Sequence, residues 1–321
     1  MPRIGCAGIL VADMFCGPLA ALPRPGELIA VDDLPQSAGG CAANVAISLA
    51  RQGLEVEVCG CVGNDAAADM LVAELARGGV GCDRVVRSPM LPTSKTVILL
   101  AGGADRRYIH AFGANAAFRA ADVQRDWLLG LDVFYVGGIF ALPAFLPDEL
   151  AELLAACRSA GVTTVIDVVV PGGRDVRGAL DAVLPHVDFF LPNEDEARAL
   201  TGAETPVAQA EELHRAGAGT VIVTSGSAGA LAFDGTRLLR APAYSLQAID
   251  PSGSGDAFTA GIIAGSVRGL GLAETLLYGA ALGASAARAV GTTTSVFDAR
   301  AAEDFMRANP LEIREAEWNS R

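Results

Sequence analysis

Within residues 249–261 of the chain, IDPSGSGDAFTAG, the run Ser252-Gly253-Ser254-Gly255 leads into the acidic residue Asp256 and a following apolar run. This pattern predicts a tight loop that enters the first turn of a helix. The backbone N–H groups of Gly253, Ser254 and Gly255 would then lie at the helix N-terminus, where unpaired donors and the helix dipole favour an anion. A phosphate group could bind there without a basic side chain.

Asp256 follows this loop directly. A carboxylate would be repelled by an anion bound next to it, so a role as a phosphate ligand is disfavoured. A base that takes a proton from an attacking hydroxyl group fits the position better. The alternative is a structural role, in which Asp256 caps the helix by accepting backbone N–H bonds.

A second segment, SAGGCAANVAISLARQG at residues 37–53, places paired glycines before an asparagine and a small-residue helix that ends at Gly53. Together, the two segments resemble the two signatures of the ribokinase-like (PfkB) carbohydrate kinases. The resemblance implies that Asp256 is the catalytic base and that the loop before it stabilises the transferred phosphoryl group. It also implies that the acceptor hydroxyl groups are bound by Asp13, Gly39, Gly40 and Asn44.

Two further segments match nucleotide-binding elements of the same family. Asn193 and Glu196 fit its Asn-x-x-Glu motif, which implies binding of Mg²⁺ and phosphate, largely through water. A solvated helix start is the alternative, because acidic residues are favoured there by the helix dipole. Residues that the resemblance assigns to ATP are Asn193, Thr224, Gly226, Gly229, Gly253 and Gly255. For residues 224–229, TSGSAG, a plain hairpin turn is the alternative.

The pattern G-x-x-x-x-G-K-[ST] does not occur in the sequence, which excludes the P-loop class of kinases. In many members of the resembling family, a monovalent cation binds where this chain has Asp250, Ser252, Gly291 and Ser295. The resemblance therefore implies potassium as a second cation beside Mg²⁺. The threonines of this loop are equally typical of a polar turn.

Short β-rich runs alternate with helical segments from about residue 133 onward, which predicts a parallel sheet covered by helices. Residues 4–11 are predicted to form a strand that delivers Asp13 at its carboxyl end, where open α/β sheets bind ligands. Residues 96–100 and 107–110 predict a hairpin around a turn at residues 102–105. The resemblance implies an α/β, ribokinase-like three-layer sandwich with a mainly parallel central sheet and a small β lid. We expect one kinase domain over residues 1–300, lid segments at about 14–37 and 94–112, and a C-terminal helix and tail over 301–321.

Composition excludes several other classes of protein. The formal net charge of −13 and the lack of a Lys/Arg cluster argue against a nucleic-acid partner. The sequence has seven scattered cysteines and no C-x-x-C pair, which indicates neither a disulfide framework nor a zinc site. No apolar run is long enough to span a membrane. These features predict a cytoplasmic protein, and the resemblance implies ATP and a small sugar or sugar-like acceptor as its partners.

The sequence therefore predicts an ATP-dependent kinase that phosphorylates a hydroxyl group of a sugar or sugar-like molecule. Ribose is in doubt, because Cys41 and Ala42 replace the Lys and Gly of ribokinases and residues 135–138 lack their acidic residue. A phosphorylated sugar would need a basic clamp, for which Lys95 and Arg107 are the candidates.

Two alternatives stay open. One is a nucleoside kinase of the same fold, with a slot for the base formed by Phe15, Phe112 or Phe140. The other is a non-catalytic sugar- or nucleotide-binding relative. The apolar hairpin face of Val97 and Leu99 is compatible with a homodimer formed through the lid, or with a lid face that covers the substrate.

Overall fold

The computed structural model describes residues 1–101, 105–172 and 175–316. Its strands are β1 Arg3–Gly8, β2 Val11–Leu19, β3 Gln36–Gly39, β4 Glu55–Val62, β5 Gly81–Arg87, β6 Lys95–Ala101, β7 Asp105–Ala111, β8 Val133–Gly137, β9 Thr163–Ile166, β10 Phe189–Phe190, β11 Thr220–Thr224, β12 Ala230–Phe233, β13 Leu238–Ala241 and β14 Arg314–Ala316. Its helices are α1 Cys41–Arg51, α2 Ala66–Arg77, α3 Arg125–Leu128, α4 Pro147–Ser159, α5 Glu194–Thr201, α6 Pro206–Arg215, α7 Ser254–Val267, α8 Leu272–Ala286 and α9 Ala299–Ala308.

Ten strands form the large sheet, in the order β14-β13-β12-β11-β10-β9-β8-β1-β4-β5. The pairings from β11 to β5 are all parallel, whereas those among β11, β12, β13 and β14 are antiparallel. Every residue of β8 is buried, as expected for a central strand covered on both faces. The predicted mainly parallel sheet is therefore confirmed, and the carboxyl ends of its parallel strands meet at one edge.

A separate sheet of four strands, in the order β3-β2-β6-β7, forms the predicted small β structure. The hairpin of β6 and β7 is confirmed by its antiparallel register, while turn residues Gly102, Gly103 and Ala104 lie outside the described residues. One prediction is wrong: residues 4–11 are not a single strand that ends near Asp13. The chain leaves β1 after Gly8, and Asp13 lies within β2 of the small sheet, because Val11 to Met14 pair with β3.

The chain runs from β1 toward both edges of the large sheet, to β4 and β5 on one side and to β8, β9, β10 and β11 on the other. With right-handed crossovers, this order places helices on both faces. Helix α1 packs against β1 and β4, and α6 packs against β11. Small residues let α7 and α8 approach closely, because a Cβ atom on Gly261 would lie 2.5 Å from the Cα atom of Gly279. The small residues of α7 and α8 therefore serve helix packing.

The C-terminal segment begins with α9, and β14 then joins the edge of the large sheet beside β13. Residues 317–321 of the predicted tail lie outside the described residues. Within the described part of the chain, no helix combines the length and apolar character needed to cross a bilayer.

Candidate active site

Asp256 lies in the first turn of α7, at the edge of the sheet where the parallel strands end. Its Oδ2 atom accepts a hydrogen bond of 2.7 Å from the Nδ2 atom of Asn44 in α1. The Oδ1 atom of Asn44 in turn accepts a bond of 2.8 Å from the hydroxyl of Thr292. Two of the predicted site residues are thus in direct contact, although 212 positions separate them in sequence.

The loop before Asp256 turns into α7 through a glycine in the left-handed conformation. Gly253 caps α7 with φ +76°, and a side chain there would overlap the carbonyl oxygen of Thr292. Helix geometry leaves the N–H groups of Gly255 and Asp256 without acceptors within the helix. The Ser254 N–H, which the sequence predicts as an unpaired donor, instead donates to the Pro251 carbonyl at 3.2 Å. A Cβ atom on Gly255 would meet no atom from elsewhere in the chain within 4 Å, so there is free space beside this residue.

Asp250 holds this loop in place. Its carboxylate accepts bonds from the Ser252 N–H (3.0 Å), the Ser252 hydroxyl (2.6 Å) and the Gly291 N–H (3.1 Å). The Ser295 hydroxyl donates to the carbonyl of Ser285 at 2.7 Å. The side chains predicted for a monovalent cation therefore serve as internal hydrogen-bond partners, and a cation here would rely on backbone carbonyl oxygens.

The predicted acceptor-binding residues meet where the small sheet joins α1. Asp13 is 5% exposed and lies directly opposite Ser37 in β3 and Thr96 in β6. A side chain on Gly39 would overlap the Asp13 carboxylate, and one on Gly40 would overlap the carbonyl of Ile9. The paired glycines thus make room for Asp13 and for the turn into α1.

The two predicted nucleotide elements lie next to each other. Asn193 caps α5 through a bond of 2.9 Å to the Glu196 N–H, and the Glu196 carboxylate accepts the Asn193 N–H at 2.9 Å. Asn193 also bridges to Thr224, the last residue of β11. The bonds between Asn193 and Glu196 fit the helix start that was the alternative for this motif. Glu196 also lies close enough to Asp256 for their charges to interact, which is compatible with the predicted role in the site.

The Thr224–Gly229 segment is a hairpin connection between β11 and β12 that contains a short 3₁₀ turn. Its ends are closed by a bond of 2.8 Å from the Ser225 N–H to the Gly229 carbonyl. A side chain on Gly226 would meet no atom within 4 Å, whereas one on Gly229 would overlap the carbonyl of Ala241. The turn therefore presents open backbone near Asn193.

Sequence reasoning missed Asp167, which directly follows β9 and is 7% exposed. Its carboxylate accepts a hydrogen bond from the Tyr135 hydroxyl and another, of 2.9 Å, from the Gly138 N–H. Ligand atoms of Asp167, Asp256 and Cys41 lie within 4.8 Å of one another. The available signal was an aspartate at the carboxyl end of a parallel strand, the same signal that was applied to Asp13.

Burial dominates the electrostatics of these acidic groups. It raises the pKa of Asp13 to about 7, and the nearby charge of Asp256 adds to this effect. Burial likewise raises the pKa of Glu196 to about 7. The pKa of Asp167 is raised well above its usual value by burial and by the charge of Asp256.

The pKa of Asp256 is also raised by burial, but hydrogen bonds from Asn44 and Cys41 oppose the shift. A carboxylate whose pKa is moved toward neutrality is a better proton acceptor than an exposed one. The site therefore places a carboxylate with a raised pKa beside backbone N–H groups that have no acceptor within the helix.

Comparison with known proteins gives concordant results. The sequence model of the pfkB family carbohydrate kinases matches residues 1–299. Ribokinase of Arabidopsis thaliana is 29% identical over 307 residues, covering 92% of this chain and 79% of that protein. The 2-dehydro-3-deoxygluconokinase of Bacillus subtilis (strain 168) is 29% identical over 279 residues, covering 83% and 85%. Among solved structures, an E. coli protein described as ribokinase II, in complex with ATP and Mg²⁺, has a TM-score of 0.82 at 23% identity, covering 96% of this chain and 100% of that chain.

Proposed function

The chain belongs to the PfkB family of carbohydrate kinases, and on that premise we propose that it transfers the γ-phosphoryl group of ATP to a hydroxyl of a sugar or sugar-like acceptor, with Asp256 as the general base. The position of Asp256 supports this proposal most strongly. It stands in the first turn of α7, bonded to Asn44 and beside the N–H groups of Gly255 and Asp256, which have no acceptor within the helix. A base and an anion site are thereby adjacent, as phosphoryl transfer to a hydroxyl requires.

In the proposed reaction, Asp13 and Asn44 bind acceptor hydroxyl groups, and Gly39 and Gly40 leave room for them. The Asp256 carboxylate accepts the proton of the attacking hydroxyl as its oxygen bonds to phosphorus. The N–H groups of Gly253 and Gly255 stabilise the charge on the transferred group, and the Ser254 N–H would join them only by giving up its bond to the Pro251 carbonyl.

On the nucleotide side, Thr224, Gly226 and Gly229 would lie along the phosphates of ATP, with Asn193, Gly253 and Gly255 completing the contacts. Glu196 would hold Mg²⁺ through water, a role that suits a hard oxygen ligand. When bound, Mg²⁺ neutralises charge on the nucleotide phosphates. Potassium would activate the protein by binding beside Asp250, Ser252, Gly291 and Ser295, mainly through backbone carbonyl oxygens.

The acceptor is the least constrained part of the proposal. The relatives named above carry the names of kinases for different acceptors. In this chain Cys41 begins α1 beside the paired glycines, and the candidates for a basic clamp, Lys95 and Arg107, are both exposed. For the nucleoside alternative, Phe15 and Phe140 are buried at 3% and 8% exposure, which leaves Phe112 as the available aromatic side chain. A sugar or sugar-like acceptor is therefore better supported than a nucleoside.

The decisive test measures ADP production from Mg-ATP over a panel of pentoses, hexoses, keto-acid sugars, sugar phosphates and nucleosides. With the best acceptor, Asp256→Asn should lose roughly 10²-fold or more in turnover, the usual scale for removal of a general base. Asp298→Asn, at the N-cap of α9, is the matched control and should keep wild-type turnover. Near-wild-type turnover of Asp256→Asn would contradict the mechanism, and ATP binding without turnover of any acceptor would favour the non-catalytic alternative.

Assembly and location stay predictions. A lid-mediated homodimer would cover exposed apolar side chains such as Leu28 (87%) and Ile109 (64%). Sedimentation analysis of the wild-type chain and of Ile109→Lys would test it, because a monomeric wild type excludes the dimer. A cytoplasmic location rests on family membership and on the cysteines, all seven of which are free thiols.

A further inference from the structure

Three side chains that can ligate a metal, one of them the proposed general base, lie close together. Cys41 is the first residue of α1, Asp167 follows β9 and Asp256 lies in the first turn of α7. A ligand atom of each lies within 4.8 Å of the other two. Because the three come from distant parts of the chain, cysteine spacing alone gave no sign of such a site.

Groups outside the cluster orient its ligands. The Tyr135 hydroxyl and the Gly138 N–H bond the Asp167 carboxylate, and the Asn44 amide bonds Asp256. Supporting hydrogen bonds of this kind orient ligating carboxylates in metal centres and contribute strongly to metal affinity. Binding would therefore require only small side-chain rotations, without rearrangement of the strands or helices.

The two carboxyl groups of the cluster have no basic partner within the described part of the chain. Among the described residues, none of the ion pairs includes Asp167 or Asp256. Asp13 and Glu196 lie close enough to interact with the charge of Asp256. Buried carboxyl groups without a basic partner are stabilised by a proton or by a metal ion, so a cation can bind this cluster in place of protons.

The donor set selects the kind of cation. A thiolate together with two carboxylates suits zinc and other thiophilic divalent ions, whereas Mg²⁺ prefers oxygen ligands alone. Zn–S and Zn–O bonds in a tetrahedral site place the ligand atoms roughly 3.6 Å apart. Contraction of the cluster by about 1 Å reaches that spacing.

We propose that Cys41, Asp167 and Asp256 form a binding site for one thiophilic divalent cation of the zinc type, and that its occupancy inhibits the protein. On binding, the Cys41 S–H bond breaks, a metal–sulfur bond forms and the proton passes to the solvent. A water molecule takes the fourth position on the side of the cleft. The binding site stands on these side chains alone, whereas the inhibition rests on the proposed role of Asp256 as the base.

Cobalt is the probe for the site, because Co²⁺ bound to a thiolate absorbs in the near ultraviolet through sulfur-to-metal charge transfer. We expect the wild-type chain to bind one Co²⁺ with this band and to release it to stoichiometric Zn²⁺. The band should be lost in Cys41→Ala, and affinity should fall by at least about tenfold in Asp167→Asn. Cys82→Ala, which removes a thiol outside the cluster, is the control and should keep the band.

A wild-type chain without the charge-transfer band, or a band that persists in Cys41→Ala, would overturn the proposal. The wild-type measurement stands even if Cys41→Ala fails to fold, and Cys41→Ser provides a second variant of nearly unchanged size. None of these titrations needs a sugar acceptor, so they succeed or fail independently of the kinase assignment. Inhibition is then tested by Zn²⁺ titration of ADP production, and Co²⁺ binding without loss of turnover would refute the inhibitory role alone.

Discussion

Replacing Asp13 by asparagine should change how the stability of the protein depends on pH. Burial raises the pKa of Asp13 to about 7, while an aspartate in the unfolded chain titrates near 3.8. Between these values the unfolded chain has lost the proton that the folded chain retains, so the free energy of unfolding falls as pH rises. The contribution of Asp13 to the free energy of unfolding is fully present below the unfolded pKa and is lost as pH rises through about 7.

The magnitude follows from the size of the shift. Each pKa unit corresponds to 1.36 kcal/mol, so the loss saturates at about 4 kcal/mol above neutrality, as an upper bound. Asparagine keeps the shape of the side chain and an oxygen that can accept from Thr96, but it does not titrate in this range. Relative to wild type, Asp13→Asn should therefore gain about 3 kcal/mol in unfolding free energy between about pH 5 and pH 8.

Urea unfolding of both proteins at several pH values, without nucleotide, measures this difference. Groups that titrate alike in the two proteins cancel, so the comparison isolates Asp13 and its coupling to Asp256. Asp234→Asn is the control of opposite sign: hydrogen bonds from Arg237 and Thr236 outweigh partial burial and lower the pKa of Asp234 to about 2. Its contribution is lost as pH falls through that value. A stability difference between Asp13→Asn and wild type that does not vary with pH would refute the reasoning.

Three further predictions concern the loops and helices around the site. Gly253→Ala should destabilise the protein by about 1–3 kcal/mol in urea unfolding, because φ is +76° and the new side chain meets the Thr292 carbonyl, whereas Gly255→Ala should keep wild-type stability. Gly261→Val should lower the unfolding free energy by at least about 1–3 kcal/mol by forcing α7 away from α8; an unchanged melting temperature would contradict the close packing. ADP production should be higher in potassium than in sodium buffer at equal ionic strength, and equal rates would exclude the proposed monovalent-cation site.

Much of the candidate site could be predicted from short segments, because a helix N-terminus concentrates backbone donors and side chains within a few residues. The Gly253–Asp256 turn, the paired glycines before α1 and the Asn193 capping position all lie in such segments. Helix α4, Pro147–Ser159, begins in the same local way, because proline suits the first turn of a helix. Local patterns were less reliable for strands, and Asp13 was assigned to the wrong sheet because both candidate strands are apolar.

By itself, the sequence determined the fold class, the family and the identity of the proposed base, because these depend on ordered local motifs and on alternating periodicity. Only the tertiary structure decided that Asn44 bonds to Asp256 and Thr292 to Asn44. It alone also decided that Asp167 and Cys41 lie beside Asp256. These contacts join α1, β9, α7 and the loop at residue 292. Parallel strands bring their carboxyl ends to one edge of a sheet regardless of separation along the chain, so no local pattern records which side chains meet there.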